Sequence, residues 1–415
     1  MKKKLVCVLL LLSLFLTACG NISENTHSEN TTEMGLETAP VAKDFSWIIT
    51  NGTLSIKGNG AMPDFGYDLE NPWNNEKQNI TKVVISEGIT HIGTEAFYYC
   101  DNLLSVYIPD SVTSIGDEAF RFCEKLTSVH IPKNVTYIGD YAFGECRSLS
   151  SIAVYQKVNH IGTAAFNGCQ ALSEISVEST NKYYSSENGI LFNKDKTALV
   201  RYPTEGGKTV YYIPDSVTVL EDGAFESCSN LEYIMIPNSV TTIGNFVFSG
   251  SYNLISLLIP ENVTSIGWDA FSFCSSLEEI DVAFSNQNYA SENGVLFSKD
   301  KTTLLCYPQG KTDSSYSVPQ GVIEISAWAF KFNDDIVSVS IPEGATKIGA
   351  NAFWCCDKLE SVFVPTTVTY IGSDAFSDCT SLESITFYGT KDQWESIEKD
   401  EFSDDHITVI YTVEN

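Results

Sequence analysis

Positive charge is scarce in this chain of 415 residues: 25 lysines and arginines stand against 53 aspartates and glutamates, for a formal charge of −28. A surface of that sign repels nucleic acid and anionic lipid head groups, so neither is expected as a partner. Histidine is rarer still, at five residues. None of the five belongs to a recognisable triad or metal-binding motif, and no phosphate-cradling glycine loop occurs. The sequence constellations of an enzyme are therefore missing. No catalytic residue, cofactor or resident metal is expected, and a binding scaffold is the better reading. What the chain has in quantity is apolar residues, 43% of the total with 12% aromatic. That is enough to build a sizeable core and excludes disorder of the whole.

The N-terminus is informative. Lys2, Lys3 and Lys4 precede an apolar run from Leu5 to Leu16, followed by Thr17, Ala18, Cys19 and Gly20. A basic start, an apolar stretch and small residues at its end describe an export signal. The run falls short of the roughly 20 apolar residues that a membrane-spanning helix needs. Leu16-Thr17-Ala18-Cys19 resembles the lipobox of bacterial lipoproteins. That resemblance implies cleavage before Cys19, a diacylglycerol on its thiol, and an extracytoplasmic protein anchored by lipid to the bacterial cell membrane or outer membrane. The alternative is an ordinary signal peptide with a chance cysteine. Loss of the three lysines takes the formal charge to −31. From Asn21 to about Lys43 the chain is rich in Asn, Ser, Thr and Glu, too polar to bury a core, and reads as a tether.

Internal repetition dominates the remainder. Ile-Gly-x-x-Ala-Phe occurs at Ile92–Phe97, Ile115–Phe120, Ile138–Phe143 and Ile161–Phe166, and recurs in altered form ending at Phe225, Phe248, Phe271, Phe330, Phe353 and Phe376. Adjacent phenylalanines are 23 residues apart, except for two intervals of 59, so two insertions of 36 residues interrupt the array. The insertions match each other across a period of 105: Ser186-Glu187-Asn188-Gly189 aligns with Ser291-Glu292-Asn293-Gly294, and Tyr202-Pro203 with Tyr307-Pro308. A block of one insertion plus three coils has been duplicated. Asn-Gly before Ile190-Leu191-Phe192 and before Val295-Leu296-Phe297 predicts a β-hairpin in each insertion.

Each position of the 23-residue unit has a physical task. Val129-His130-Ile131 alternates as a strand with one buried face does, and Pro132 ends it because it cannot donate to a ladder. Val135 and Ile138 are the next inward pair, and Gly139 allows a tight bend. Three residues before the phenylalanine, seven of the ten copies have helix N-cap types, such as Asp117, Asp140 and Asp222, so a short helical turn is expected there. Cysteine recurs three residues after the phenylalanine in eight copies, with Ser251 and Asn333 in the other two. Equivalent side chains of stacked coils lie about 5 Å apart and point the same way, whereas a disulfide needs converging Cβ vectors. A ladder of buried thiols is expected in preference to disulfides.

The unit Leu126 to Cys146 carries nearly whole the pattern Leu-x-x-Val-x-Ile-Pro-x-x-Val-x-x-Ile-Gly-x-x-Ala-Phe-x-x-Cys. It resembles the BspA-like leucine-rich repeats of bacterial surface proteins over roughly Ile80 to Phe387. The resemblance implies a leucine-rich-repeat solenoid, a β-strand-rich right-handed coil with short helical turns. Gly52-Thr53-Leu54-Ser55-Ile56 with Pro72-Trp73 is similar to that family's N-terminal cap, and Phe387-Tyr388-Gly389-Thr390 with Gln393-Trp394 to its C-terminal one. The expected layout is a lipoprotein signal at 1–18, a tether at 19–43, a cap at 44–80, the solenoid at 81–387 with hairpin insertions near 178–213 and 283–318, and a second cap at 388–415. Leu220-Glu221 and Ile325-Ser326 depart from the Ile-Gly pair.

In that family the solenoid is an adhesion or ligand-binding module at the cell surface, with host and matrix proteins among the suggested partners. The expected function is protein–protein or host and cell-surface contact. Capture of a glycan or peptide for a transporter, or a structural role in the envelope, are the alternatives. Solenoids recognise partners across repeated outward faces. The candidate face lies between the inward residues of the Val-x-Ile strands, at Tyr107, His130, Met235, Leu258 and Phe363, with Tyr233 in the adjacent column. A second aromatic column, including Tyr98, Tyr99, Phe122, Phe273, Phe332 and Trp354, is read as packing between coils.

Overall fold

The computed structural model describes residues 43–67, 69–400 and 407–413. The signal, Cys19 and nearly all of the tether lie outside the described residues, as do His27 and His406. From residue 43 onward the chain forms a solenoid of about 14 turns with little helix. Each regular coil contributes two strands. A longer one, such as Ser256–Ile259 or Ser361–Val364, carries the alternating pattern, and a two-residue one, such as Ser265–Ile266 or Tyr370–Ile371, carries the Ile of Ile-Gly. Each pairs in parallel with an equivalent strand 23 residues away, these longer ones with the coil that follows and these short ones with the coil before.

The core is stacked rings. Phe97, Phe120, Phe143 and Phe166 follow one another at 5.0, 5.2 and 6.0 Å between centroids. A second run is Tyr202, Phe225, Phe248 and Phe271 at 5.3, 5.8 and 5.9 Å. The third is Tyr307, Phe330, Phe353 and Phe376 at 4.9, 4.7 and 5.3 Å. The hydrophobic core divides in the same way into three clusters that change over at the two insertions. Trp73 opens the first run, stacked on Phe97 at 5.8 Å with its indole N–H donating to Ala96 O at 2.8 Å. Trp73, Tyr202 and Tyr307 thus each start a stack with a ring that carries a polar handle.

The turn bearing the Ala-Phe pair is not the helix expected from its N-cap residues. Within it, N–H groups reach carbonyls three residues back, as from Ala96 to Gly93 and from Cys100 to Phe97. Left-handed residues interrupt it, among them Glu95 at φ 52° and Tyr99 at φ 59°. That alternation aims backbone groups along the solenoid axis. Glu95, Phe97 and Tyr99 donate to Asp117, Ala119 and Arg121 of the next coil, and the pattern repeats from coil to coil. The presumed caps serve the same ladder: Asp117 Oδ1 accepts from the N–H of Asp140 at 2.9 Å, and Asp140 Oδ1 from Thr163 at 2.7 Å. A bond to the neighbouring coil outcompetes a local helix because it recurs at every turn of the stack.

The glycine of Ile-Gly answers to the same closeness rather than to a bend. A Cβ at Gly116 would stand 2.6 Å from the backbone N of Thr94, and one at Gly139 2.6 Å from that of Asp117. The cysteine ladder is present: Cys123, Cys146 and Cys169 donate S–H to the carbonyls of Phe97, Phe120 and Phe143 at 3.3, 3.1 and 3.2 Å. Ser251 makes the equivalent bond to Phe225 O at 2.9 Å. Burial pushes the thiols up, to about 12 for Cys169 and Cys228.

Each insertion is a three-stranded antiparallel meander that re-enters the coil. In the first, Tyr184–Glu187 pairs with Ile190–Asn193 across a left-handed Asn188-Gly189 turn, as its sequence predicts. Ile190–Asn193 then pairs with Ala198–Arg201, which joins the short-strand sheet in parallel with Val219–Leu220. At the N-terminal end Lys43–Thr50 runs antiparallel to Thr53–Ala61. At the other end a helix, Lys391–Glu395, starts from a capping box of Thr390 with Gln393 and sets Trp394 against Phe387 at 5.3 Å.

Candidate binding surfaces

Strand pleating puts every second residue of the longer strands outward, and parallel pairing lines those residues up between coils. Three of the six sequence candidates come together in this way. Tyr233 and Met235 lie on one strand and Leu258 on the next, in a sheet of four strands, Val210–Tyr212, Tyr233–Met235, Ser256–Ile259 and Glu279–Val282. Tyr212 registers with Met235, Tyr233 with Ser256, and Leu258 with Asp281. Tyr212, Met235 and Leu258 form a row that is 71%, 46% and 51% exposed, flanked by exposed Val210 and Tyr233. Sequence reasoning missed Val210 and Tyr212 because they fall at the end of an insertion. Val210-Tyr211-Tyr212-Ile213-Pro214 nevertheless repeats, 23 residues earlier, the strand-then-proline pattern of Tyr233 to Pro237.

The other three candidates stand apart from this patch. Tyr107 is exposed on Ser105–Tyr107, in the first stack. His130 lies in a coil where the sheet shrinks to a single bridge, Ser105 to Ser128, and its ring sits edge-on to Tyr155 at 5.9 Å. Phe363 is half-buried and stacks on Tyr388 at 6.3 Å. The second aromatic column packs between coils, with Tyr99 on Phe122 at 4.3 Å and Phe332 against Phe273 and Trp354 at 4.7 and 4.9 Å. His91 and His160 are held within the array, His91 between Asp64 at 3.0 Å and Ser114 at 2.8 Å, and His160 stacked on Tyr137 at 4.6 Å. Among the described residues no group of three or more His, Cys, Asp or Glu is placed to hold a metal ion.

Where an insertion meets the preceding coil, the stack opens into a cleft. The first, of about 410 Å³, lies between the Ile161–Phe166 turn and the strand Ala198–Arg201. Arg201 lines it, 2% exposed, donating to Asn167 Oδ1 at 3.3 Å and to the carbonyls of Gly223 and Glu226 at 2.5 and 3.0 Å. Beside it, burial pushes the Glu226 carboxyl up to about 7, against the opposing pull of Arg201. The second cleft, of about 340 Å³, holds Lys331, whose Nζ pairs with Asp269 at 3.4 Å among the rings of Trp328, Phe273, Phe332 and Trp354 at 4.2–5.8 Å. Burial lowers the affinity of Lys331 for its proton, and Asp269 offsets part of that. The coils after the two insertions are the ones that lose the glycine, at Glu221 and Ser326, and both residues line the clefts. The loss of that glycine is the sequence feature that coincides with each opening.

Among the described residues no helix is long and apolar enough to cross a membrane. The sequence profile described as the BspA type leucine rich repeat region matches six copies, over residues 73–189, 209–302 and 306–415. A crystal structure of a leucine-rich repeat protein from Eubacterium ventriosum is similar, with 28% identity, covering 83% of this chain and 88% of that one at a TM-score of 0.54. A leucine rich cell surface protein from Faecalibacterium prausnitzii is 24% identical over 87% of this chain and 98% of its own, at a TM-score of 0.41. No curated protein matches the chain significantly.

Proposed function

Because this chain belongs to the family of BspA-type leucine-rich-repeat proteins, we propose that it is a lipid-anchored contact protein of the bacterial surface, binding a protein partner through the strand face of its middle stack. The observation that carries the reading is the exposed row Tyr212, Met235 and Leu258 with Val210 and Tyr233 beside it. Large apolar and aromatic side chains presented together from a rigid sheet are the composition of interface hot spots. Scattered exposed apolar residues are ordinary on any protein, but a contiguous patch is not. The rim supplies orientation: Glu279 and Asp281 close one side of the sheet, and the acidic balance of the whole chain favours a basic partner.

Attachment through Cys19 rests on the Leu16-Thr17-Ala18-Cys19 sequence and places the solenoid outside the cell at the end of a polar tether. Two measurements test the reading. Cys19→Ala should release the protein from the membrane fraction, and unchanged retention would contradict the anchor. Cells carrying the full-length protein should adhere to surfaces coated with host matrix protein, and cells carrying Tyr212→Ser, Met235→Ser and Leu258→Ser together should adhere no better than cells lacking the protein. Equal adherence of all three strains would remove the contact function from this face.

A further inference from the structure

The two clefts occupy equivalent places in the duplicated block, and in each the turn before the insertion has two backbone N–H groups, of Ala164 and Phe166 in the first and of Asp269 and Phe271 in the second, that meet no acceptor among the described residues; the clefts differ in the side chains around them. In each of the three coils before the first insertion, the N–H groups two positions before the phenylalanine and at the phenylalanine donate to the following coil, as from Tyr141 to Thr163 and from Phe143 to Ala165. At the first cleft the corresponding N–H groups, of Ala164 and Phe166, meet no acceptor among the described residues, because a strand of the insertion stands where the next turn would be. Arg201 lines the same space, and its Nε has no hydrogen-bond partner. Opposite these donors the cleft has acceptors, the exposed carboxylate of Glu221 and the carboxylate of Asp222. Asp222 already accepts from Asn245 N at 2.7 Å, which holds it in place. Tyr183, half of whose surface is exposed, supplies an aromatic edge.

We propose that this first cleft binds a small neutral carbohydrate. The chemistry of the walls narrows the class. An anion would meet Glu221 and Asp222 and the field of a protein of charge −28. A cation would meet Arg201 and the outward N–H groups. An apolar ligand would leave those donors and carboxylates desolvated and unpaired, a penalty paid for each group. Hydroxyl groups accept from N–H and guanidinium donors and donate to carboxylates, and the apolar face of a pyranose ring packs on an aromatic side chain. The volume falls within the roughly 300–1,000 Å³ of small-molecule sites and suits a mono- or disaccharide.

The duplicate explains why only one cleft is assigned this role. Gly168 and Gly223 of the first junction correspond to Phe273 and Trp328 in the second, Ala164 to Asp269, and Glu226 to Lys331. The second cleft is thereby furnished with its own cation, the anion that pairs it and the rings that surround it. The assignment does not depend on the strand-face reading, which concerns the middle sheet.

Saturation-transfer NMR and calorimetry on the full-length protein, with glucose, galactose, N-acetylglucosamine, cellobiose and lactose as probes, test it. At least one neutral sugar should bind in the millimolar range or better. Its affinity should fall tenfold or more in both Glu221→Gln and Tyr183→Ala, changes at exposed positions that leave the core intact. Asn288→Ala, at the position equivalent to Tyr183 in the second copy, should leave it unchanged. Glucuronate and glucosamine should bind at least tenfold more weakly than their neutral parents. No saturation transfer from any of the neutral sugars overturns the proposal. So does tighter binding of a charged sugar, or an equal loss of affinity in Asn288→Ala.

Discussion

Residues 178–282 and 283–387 are two copies of one block with the same strand order, and they differ where the fold does not constrain them. The strand face of the first copy presents Val210, Tyr212, Tyr233, Met235 and Leu258; the same positions in the second are Ser315, Ser317, Ser338, Ser340 and Phe363. Inward positions stay apolar in both, as Tyr211, Ile234 and Leu257 against Tyr316, Val339 and Val362. The junctions diverge as well. Cys306 stands where the first copy has Arg201, and Lys331 where it has Glu226, so a cleft lined by a buried guanidinium and two carboxylates corresponds to one furnished with an ion pair and aromatic rings. Duplication supplied two scaffolds of one geometry, and the differences mark what each is free to do.

The comparison can be broken most forcefully at the second junction. Asp269→Asn leaves the Lys331 ammonium without its partner inside the aromatic surround, a change that costs about 3–5 kcal/mol when a buried pair loses one member. Hydrogen exchange over the coil around Phe330 should accelerate accordingly. Adding Lys331→Met should restore most of the protection. If the single change leaves exchange untouched, the pair does not hold that junction together.

A smaller effect is expected from exchanging the strand faces. Tyr212→Ser with Met235→Ser, which copies Ser317 and Ser340 into the first block, should lower affinity for the surface partner at least tenfold, or about 1.4 kcal/mol. Thermal stability should barely move, because both side chains already face solvent. A large fall in melting temperature would show that the row is structural rather than a contact surface.

Acidity should separate the copies next. The Glu226 carboxyl is raised from its ordinary 4.5 to about 7. The folded form therefore holds a proton that the unfolded form releases, and stability falls as pH rises from about 4.5 through about 7. Hydrogen exchange around Phe225 should show this decline, Glu226→Gln should flatten it, and the coil around Phe330, with Lys331 in the equivalent place, should lack it. A profile unchanged in Glu226→Gln would assign the decline to another group. The smallest effect is expected in the thiol ladder. Cys274→Ser keeps a donor for Phe248 O, as Ser251 does for Phe225 O, and should cost under about 1 kcal/mol, whereas Cys274→Ala forfeits the bond as well.

How much was legible follows from which interactions repeat. The alternation in Val129-His130-Ile131 and the phenylalanine that follows it recur in ten coils, and the proline after the strand in eight of them, so burial and strand pairing could be read from spacing alone. The Asp117 column misled for the same reason that it recurs. An acceptor at that position signals a helix cap when one coil is considered, and its actual donor lies 23 residues away. The patch was only half visible, since Tyr233, Met235 and Leu258 sat in a regular column while Val210 and Tyr212 were hidden inside an insertion. The clefts left one trace, the missing glycines at Glu221 and Ser326, whose meaning depends on what lies beneath them.

The sequence by itself therefore determined the coil, its period, its duplicated block and which side chains face inward, because these follow from local alternation and from steric demands shared by every repeat. The tertiary structure alone decided where the stack opens and what the openings contain. Arg201 and Asn167 are 34 residues apart, and Lys331 and Asp269 are 62 apart. Their meeting depends on how each insertion re-enters the solenoid, a matter of long-range register on which no local pattern bears.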